Sequence, residues 1–395
     1  MIDWRTPRVI TEDAKELGFD LDRLAHVGNK IAEDIDSELY DGGVLCVSRG
    51  GKIAAHGAFG FADRDASRSM EKDSVFVSYS IAKQLTAVMA LNRVERGDLA
   101  LTMKVADVIP EFGCRGKENI TLYQLLVHTA GLMFAGPMVR PDQMGNLEAV
   151  IAAICASGVE SVPGTRVHYS AIAALAVVAE MVRRVEPEPV SFREIMRRDM
   201  FEPLGMHDTA LGKRPDLVDR LCPVVTRYKS EGLFEPEAVA ALGQMLTEES
   251  EIPAGGYVTT AADMNIFVNM LANGGEWNGV RILSPAMLDL ICTNQTGEEE
   301  NSIWSYLNGM RGWDMWPAYL GLGFFLRGEG IFPSPFGTLA SPDTFGGLGS
   351  GSTMFWVDPE RDLGCVYLAT GLLEESYHFE RMQKVSDLVH ASLIN

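Results

Sequence analysis

Strand-type runs stand at both ends of this chain, with a long stretch of helical periodicity between them, and few folds accommodate that order. After a helical-looking lead (Asp20 to Ile35), Val44-Leu45-Cys46-Val47-Ser48 and Ile53-Ala54-Ala55-His56-Gly57 flank Arg49-Gly50-Gly51-Lys52, which reads as a hairpin around a Gly-Gly turn. From Ser80 to Val94, the residues Ile81, Leu85, Val88 and Leu91 recur at spacings of three and four, the mark of a helix. Helical patterns dominate residues 100 to 300: Leu122–Leu132, Leu147–Ala156, Ala171–Val185, Phe192–Met200, Ala262–Ala272 and Pro285–Cys292, with Gly and Pro between them. Strand-type runs return at Gly321–Leu326, Ser352–Val357 and Gly364–Ala369, and a last helix spans Glu374 to Leu393. The simplest architecture is α+β. One antiparallel sheet is built from both chain ends and flanked by their helices, with an inserted all-helical lobe. This predicts a single domain over 1–395, with an α/β lobe of about 1–95 and 300–395 and a helical lobe of about 96–299. A cleft between the lobes is the default place for a site.

Composition narrows the partners. Of 395 residues, 34 are Lys or Arg and 54 are Asp or Glu, so the formal net charge is −20. Such a chain repels phosphate backbones and anionic membrane surfaces, and no basic stripe offsets this, so neither nucleic acid nor membrane is an expected partner. No run of about 18 apolar residues occurs, and Met1–Pro7 is polar and Pro-interrupted, without the apolar stretch of a secretory signal. The six cysteines are scattered, with no CxxC pair, which favours free thiols over disulfides or zinc and implies a cytoplasmic location. No Gly-Lys pair is followed by Ser or Thr, no G-x-S-x-G elbow exists, and the seven histidines form no HExxH, so neither a metal nor an organic cofactor is expected.

What remains is S-x-x-K, present twice. Ser69-Met70-Glu71-Lys72 lies among charged residues and reads as solvated surface. Ser80-Ile81-Ala82-Lys83 instead opens an apolar helix, where residues three apart share a face and the Lys83 amine can approach the Ser80 hydroxyl. A seryl oxygen needs a neighbouring base to become a nucleophile. Lysine serves only when burial lowers its ordinary pKa of about 10.4, and Ile81, Ala82 and Leu85 provide apolar surroundings. The helix start also offers a backbone N–H to a developing oxyanion. The plainer reading makes Ser80 an N-cap and Lys83 a surface charge.

Further segments tip the balance. Val77-Ser78-Tyr79-Ser80-Ile81-Ala82-Lys83, Leu125-Leu126-Val127-His128-Thr129-Ala130-Gly131-Leu132, Pro163-Gly164-Thr165-Arg166-Val167-His168-Tyr169-Ser170, Phe201-Glu202-Pro203-Leu204-Gly205-Met206, Ala254–Asp263 and Gly349–Pro359 occur in that order. Together they resemble the serine β-lactamase-like superfamily: class C β-lactamases, penicillin-binding DD-peptidases, family VIII carboxylesterases and related transesterases. The resemblance runs almost end to end and implies the β-lactamase/transpeptidase-like fold. It makes Ser80 the acylated nucleophile, Lys83 its partner base and Tyr169 the phenol that passes the proton to the leaving group. Tyr169 acts as a base only where Lys83 and the cavity stabilise its phenolate. His128 is expected to be structural.

Two departures bear on the substrate. Where the family often has Tyr-x-Asn, the third residue here is Ala171, which weakens the case for β-lactam or peptide substrates. The third motif, usually Lys-Thr-Gly or His-x-Gly, falls at Gly347-Leu348-Gly349 counted back from Asp358-Pro359, while Phe345-Gly346-Gly347 resembles the Trp-Gly-Gly of esterases. On either count the cation that helps to bind a substrate carboxylate is gone. The implied activity is hydrolysis of neutral carboxylic esters through an acyl-enzyme, with an oxyanion held by the N–H of Ser80 and by the Gly347, Gly349, Ser350 strand, the second N–H being that of Ser350. Acyl transfer, an amidase, β-lactamase or D-Ala peptidase, and an inactive binding or sensor scaffold are the rivals. A homo-oligomer is compatible with the sequence. The aromatic segment from Trp304 to Tyr319 resists assignment to a helix and either walls a substrate pocket or covers the sheet.

Overall fold

The computed structural model describes residues 9–228 and 232–394; the stretch Met1–Pro7 lies outside them. The N-terminal hairpin forms β1 (Gly42–Arg49) and β2 (Lys52–Asp63), followed by the short β3 (Arg68–Ser69). Next come β4 (Phe76–Val77), β5 (Ala210–Leu211), β6 (Tyr257–Thr259), β7 (Glu276–Trp277) and β8 (Val280–Arg281). The C-terminal part adds β9 (Phe325–Leu326), β10 (Phe345–Gly349), β11 (Thr353–Asp358) and β12 (Leu363–Thr370). The main sheet runs β3-β2-β1-β12-β11-β10-β9, antiparallel throughout. The chain ends therefore meet where β1 pairs with β12, from Gly42 opposite Thr370 to Arg49 opposite Leu363.

Both faces of that sheet are covered, which is why Val44-Leu45-Cys46-Val47 and Cys365-Val366-Tyr367-Leu368 are buried residue after residue rather than alternately. One face carries α1 (Leu21–Asp36), capped by the Asp20 carboxylate on the amides of Asp22 and Arg23. Its Leu24, Val27 and Ile31 pack with Leu45, Val47 and Tyr367. The other face carries α2 (Ala82–Glu95), buried from Ala82 to Leu91.

The insertion supplies α3 (Val105–Val108), α4 (Leu122–Leu126), α5 (Leu147–Ala156), α6 (Ala173–Arg184), α7 (Phe192–Met196) and α8 (Glu202–Leu204). It continues with α9 (Pro236–Met245), α10 (Ala261–Ala272) and α11 (Pro285–Cys292). After it come α12 (Ser302–Arg311) and α13 (Glu375–Ala391), the latter packing beside α1 through Val385 and Val389. None of these helices is long and apolar enough to cross a membrane.

Several local expectations are corrected. The insertion is not all-helical, since β5 and β6 join β4 in a three-stranded sheet and β7 pairs with β8. Within the stretch read as the helical lobe, α10 lies on the main sheet, its Phe267 ring 5.7 Å from Phe355 and its Asn269 Oδ1 accepting from Ser48 Oγ at 2.9 Å. The helix predicted over Leu122–Leu132 stops at Leu126, because His128 and Gly131 take positive φ (54° and 68°) and turn the chain. Phe192–Met200 is helical, but it passes into a π-helical turn at Arg197–Phe201. In Gly321–Leu326 only Phe325 and Leu326 are in a strand, since Gly321 N donates to Phe324 O and Gly323 has φ 78°. Ser69 sits in β3 opposite Phe61 rather than in a loop. The aromatic segment begins as a helix after all: α12 is capped by Asn301 and ended by Gly312 at φ 66°, and its Trp304 packs with Trp316 and Phe379.

Candidate active site

The site is built where β4 runs into α2. A single 3₁₀ turn, Tyr79–Ile81, joins them, and Tyr79 takes a left-handed φ of 48°. For a bulky residue this conformation costs on the order of 1–3 kcal/mol and must be held by its surroundings. The Tyr79 ring is buried with Val77, Val239, Leu246, Ile252 and Leu372, and its hydroxyl donates to Val239 O at 3.4 Å. The kink leaves Ser80 half-buried at the head of α2, between buried Tyr79 and Ile81.

Lys83, one turn on, is 3% exposed. Its Nζ lies 3.0 Å from Ser80 Oγ, 2.8 Å from Ala171 O and 3.1 Å from Ala254 O. Burial lowers its pKa to about 7. A neutral lysine has two N–H bonds and one lone pair. With both N–H bonds on the two carbonyls, the lone pair faces the Ser80 hydroxyl, which is the arrangement a base needs.

Tyr169 reaches the same oxygen from the loop before α6, its hydroxyl 3.2 Å from Ser80 Oγ. The Tyr169 amide donates to Ser302 Oγ at 3.1 Å, so the start of α12 holds its backbone. His128 lies against the phenol, ring centroids 4.7 Å apart, and its Nδ1 accepts from the Ser170 amide at 3.3 Å. Burial first, then the charges of Lys83 and His168, lowers the His128 pKa to about 3, so the ring is a neutral support with its proton on Nε2. Burial raises Tyr169 to about 12 despite the opposing effect of its bond to Ser80. The cavity therefore keeps a neutral phenol, and Tyr169 is a carrier of protons rather than a standing phenolate.

The opposite wall is β10. A Cβ built on Gly349 lies 3.1 Å from Ser80 N and 2.8 Å from Ser78 O, so this strand end passes directly over the serine amide. Thr353 Oγ1 donates to Ser78 O at 2.7 Å and ties β11 to the same turn. Gly347 faces Gln84 instead, where a Cβ would meet Oε1 at 2.2 Å. Ser350 stands in the turn after β10 and donates through Oγ to Glu375 Oε1 at 2.5 Å. Thus Ser80, Lys83 and Tyr169 meet at one oxygen, Gly349 lies beside them, and Gly347 and Ser350 flank that point along the strand.

Sequence reasoning missed the two carbonyls on Lys83, the support of Ser302, and Glu375. Among the described residues no three His, Cys, Asp or Glu side chains gather to hold a metal ion, and the six cysteines are unpaired.

The Beta-lactamase family model matches residues 28–388. The chain belongs to the beta-lactamase family. It is 26% identical over 381 residues to the esterase/beta-lactamase LipL of Mycobacterium tuberculosis, covering 89% of this chain and 82% of that protein. Among solved structures, a penicillin-binding protein homolog from Caulobacter crescentus superposes with a TM-score of 0.78 at 24% identity, covering 94% of this chain and 98% of the other. A family VIII carboxylesterase gives 0.73 at 22% identity, covering 92% and 96%. These two establish the β-lactamase/transpeptidase-like fold. Membership in the family carries the coarse activity, that of a serine hydrolase.

Proposed function

We propose that this protein cleaves carboxylic esters through an acyl-enzyme on Ser80. The observation that carries the reading is the environment of Lys83, a buried amine with two carbonyls on its N–H bonds and the serine hydroxyl on its lone pair. In acylation the Ser80 oxygen attacks the ester carbonyl while its proton passes to Lys83 Nζ. The oxyanion takes the N–H of Ser80 and that of Ser350 in the turn after β10. As the C–O bond to the alcohol breaks, the proton moves through the Tyr169 hydroxyl to the leaving oxygen. Water then repeats the sequence on the acyl-serine and releases the acid.

Two features favour esters over β-lactams and peptides. Ala171 offers only its carbonyl, already used by Lys83, where an Asn side chain would bind a substrate amide. The strand facing Ser80 has glycines at 346, 347 and 349 and no cation for a substrate carboxylate. LipL is named both esterase and beta-lactamase and the other neighbour a carboxylesterase, so ester chemistry is the part that the two names share.

The test is hydrolysis of a short-chain p-nitrophenyl ester by wild type and Ser80→Ala, with the pre-steady-state burst recorded. A burst of one equivalent in wild type that vanishes in Ser80→Ala is expected. Full activity in Ser80→Ala sinks the assignment. A chromogenic cephalosporin cleaved faster than any ester moves the protein to the amide-cleaving side of the family.

A further inference from the structure

Beyond Gly349 the wall of the site turns through Ser350 onto the first residues of α13, and two carboxylates stand there. Glu374 and Glu375 are 3% and 8% exposed. Glu375 Oε1 accepts from Ser350 Oγ, and Glu374 Oε2 caps α13 on the Ser376 amide at 3.0 Å. The other two oxygens, Glu375 Oε2 and Glu374 Oε1, are buried and accept from no side chain. Backbone N–H groups of Leu233 and Glu375 lie against the Glu375 carboxyl, Glu374 Oε1 has no partner, and neither glutamate is in an ion pair among the described residues. Arg381, further along α13, pairs with neither; its guanidinium lies over the Tyr40 ring at 4.2 Å and donates to Gly351 O at 3.0 Å. Two neighbouring carboxylates taken out of water need donors or a counter-charge. The capping role accounts for one oxygen of Glu374 and the Ser350 bond for one oxygen of Glu375. Among the described residues no cation balances the two carboxylates.

The surroundings suit a cation. The 225–227 segment runs beside the chain entering α13, with Leu372 N on Val225 O at 2.7 Å and Arg227 N on Leu372 O at 2.8 Å, which brings Tyr228 next to the glutamates. Burial and the charges of Glu375 and Glu374 hold the Tyr228 phenol protonated, and its hydroxyl is spent on Phe234 O at 2.9 Å. Phe234 stacks on Phe134 at 5.7 Å, and Phe134 lies 6.5 Å from the Tyr169 ring, so an aromatic wall runs from the reacting centre to the acidic corner. Aromatic faces joined to carboxylates are a general solution for holding ammonium groups.

We propose that Glu374 and Glu375 form a cation subsite at the Ser350 end of the active site, and that the preferred substrate is an ester bearing a protonated amine which pairs with their uncompensated carboxylates. This rests on the ester-cleaving reading of Ser80 and adds the class of substrate. Gly349 lies against the Ser80 amide and the next residue, Ser350, bonds Glu375, so the corner adjoins the reacting centre. A primary ammonium has three N–H donors, enough to reach both glutamates. Burial, with Glu374 adding to it, raises Glu375 to about 7, and a bound cation stabilises its ionised form. The same corner repels a substrate carboxylate, in line with the missing cation on β10.

The experiment compares kcat/KM at pH 8 for three matched ethyl esters: the 3-aminopropanoate, the butanoate and the monoethyl succinate, repeated with one to three further methylenes. These place a cation, a methyl or a carboxylate at one position. At one or more lengths the cationic ester is expected to exceed the neutral one at least tenfold, with the anionic ester slowest, and Glu375→Gln to shrink that ratio at least tenfold. Glutamine keeps the acceptor for Ser350, and a ratio taken within one variant cancels any general loss of activity. A neutral ester equal to or better than the cationic one at every length overturns the proposal, as does a ratio that survives in Glu375→Gln. Should no ester be cleaved at all, the Ser80 reading has failed, and the subsite is then decided by calorimetric titration of n-butylammonium chloride into wild type and Glu375→Gln. Saturable binding lost in Glu375→Gln sustains it; no saturable binding, or equal binding in both, overturns it.

Discussion

Lys83 Nζ sits 3.0 Å from Ser80 Oγ inside a pocket that also hands it the carbonyls of Ala171 and Ala254. Those carbonyls take up two donors whether the amine is charged or neutral, so the protonation state decides only what the third direction does. With the pKa lowered to about 7 by burial, the amine is an ammonium below that pH and a base above it. For a neutral ester, kcat/KM is expected to rise about tenfold per unit up to pH 7 and to level off above it. The Glu375→Gln background removes the other group of the site raised to about 7. Lys83→Met should lower kcat/KM by about 10²–10⁴-fold, the usual contribution of a positioned base. A profile flat between pH 5 and 9 contradicts the assignment of Lys83 as the base.

Tyr169 shares the serine oxygen at 3.2 Å but titrates in the opposite sense, raised to about 12 by burial. A neutral phenol both donates and accepts, which fits a relay to the leaving alcohol. Tyr169→Phe keeps the ring against His128 and removes only the relay. The expected result is a fall of about 10²–10³-fold in kcat/KM with a poor leaving group such as ethanol, and a much smaller fall with p-nitrophenolate, which leaves without a proton. Equal losses for both esters, read from paired kinetics, contradict the relay.

Far from the site, Asp358 ends β11 fully buried and gathers the Ser341 amide (3.0 Å), the Ser341 hydroxyl, the Arg361 guanidinium (3.1 Å) and His390 Nε2 (3.2 Å). The bonds to His390 and Ser341 outweigh burial and hold the carboxyl well below its usual range. A depressed acid stabilises the fold at any pH above its unfolded pKa of about 3.9, and that stabilisation fades as pH falls from there toward the folded value. Asp358→Asn is expected to lower unfolding free energy at pH 7 by about 2–3 kcal/mol, since hydrogen bonds to a charge are lost, and to flatten the acid limb of the stability curve. Urea melts from pH 3 to 7 measure both.

The parts of the site legible in the sequence are those with local spacing. Ser80 and Lys83 are three residues apart on an apolar helix, and Tyr169 closes a segment whose order of residues matches a known pattern. The carbonyls of Ala171 and Ala254 carry no such signal, because any residue type supplies a carbonyl and they lie 88 and 171 positions from Lys83. Glu375 likewise meets Ser350 only through the register of β10, β11 and β12. In the fold, the paired chain ends were readable from their apolar runs, whereas α10 reads as one more helix of the insertion, since periodicity shows a buried face but not its partner. Helix α12 did carry signals: Asn301 as its cap and Gly312 as its stop. The density of Trp and Tyr around them hid the pattern, as these rings face Phe379, Phe325 and Phe332 on several sides instead of one apolar stripe.

Gly347 and Gly349 look alike in sequence and differ in what an added methyl would strike, which separates a structural glycine from one at the reacting centre. On Gly349 the new Cβ lies 2.0 Å from Thr353 Oγ1, 2.8 Å from Ser78 O and 3.1 Å from Ser80 N. The Thr353–Ser78 bond that anchors β11 to the serine turn occupies that space, and two of these three atoms are backbone, so neither strand nor turn can yield cheaply. On Gly347 the nearest atoms are Gln84 Oε1 at 2.2 Å and Cδ at 2.7 Å, the end of a side chain with no partner on that oxygen and its Nε2 on Gly323 O, followed by the Phe355 ring at 2.9 Å. Overpacking of this kind costs about 1–3 kcal/mol, and Gly349→Ala should stand at the upper end while Gly347→Ala stands at the lower. Because the Gly349 methyl pushes on the Ser80 amide, its kcat/KM should fall at least a hundredfold even in protein that melts cooperatively. Gly347→Ala should keep activity within about tenfold, the loss tracking stability alone. Thermal melts beside ester kinetics on both variants check this, and equal kinetic losses would mean that the close approach of Gly349 to Ser80 has no part in catalysis.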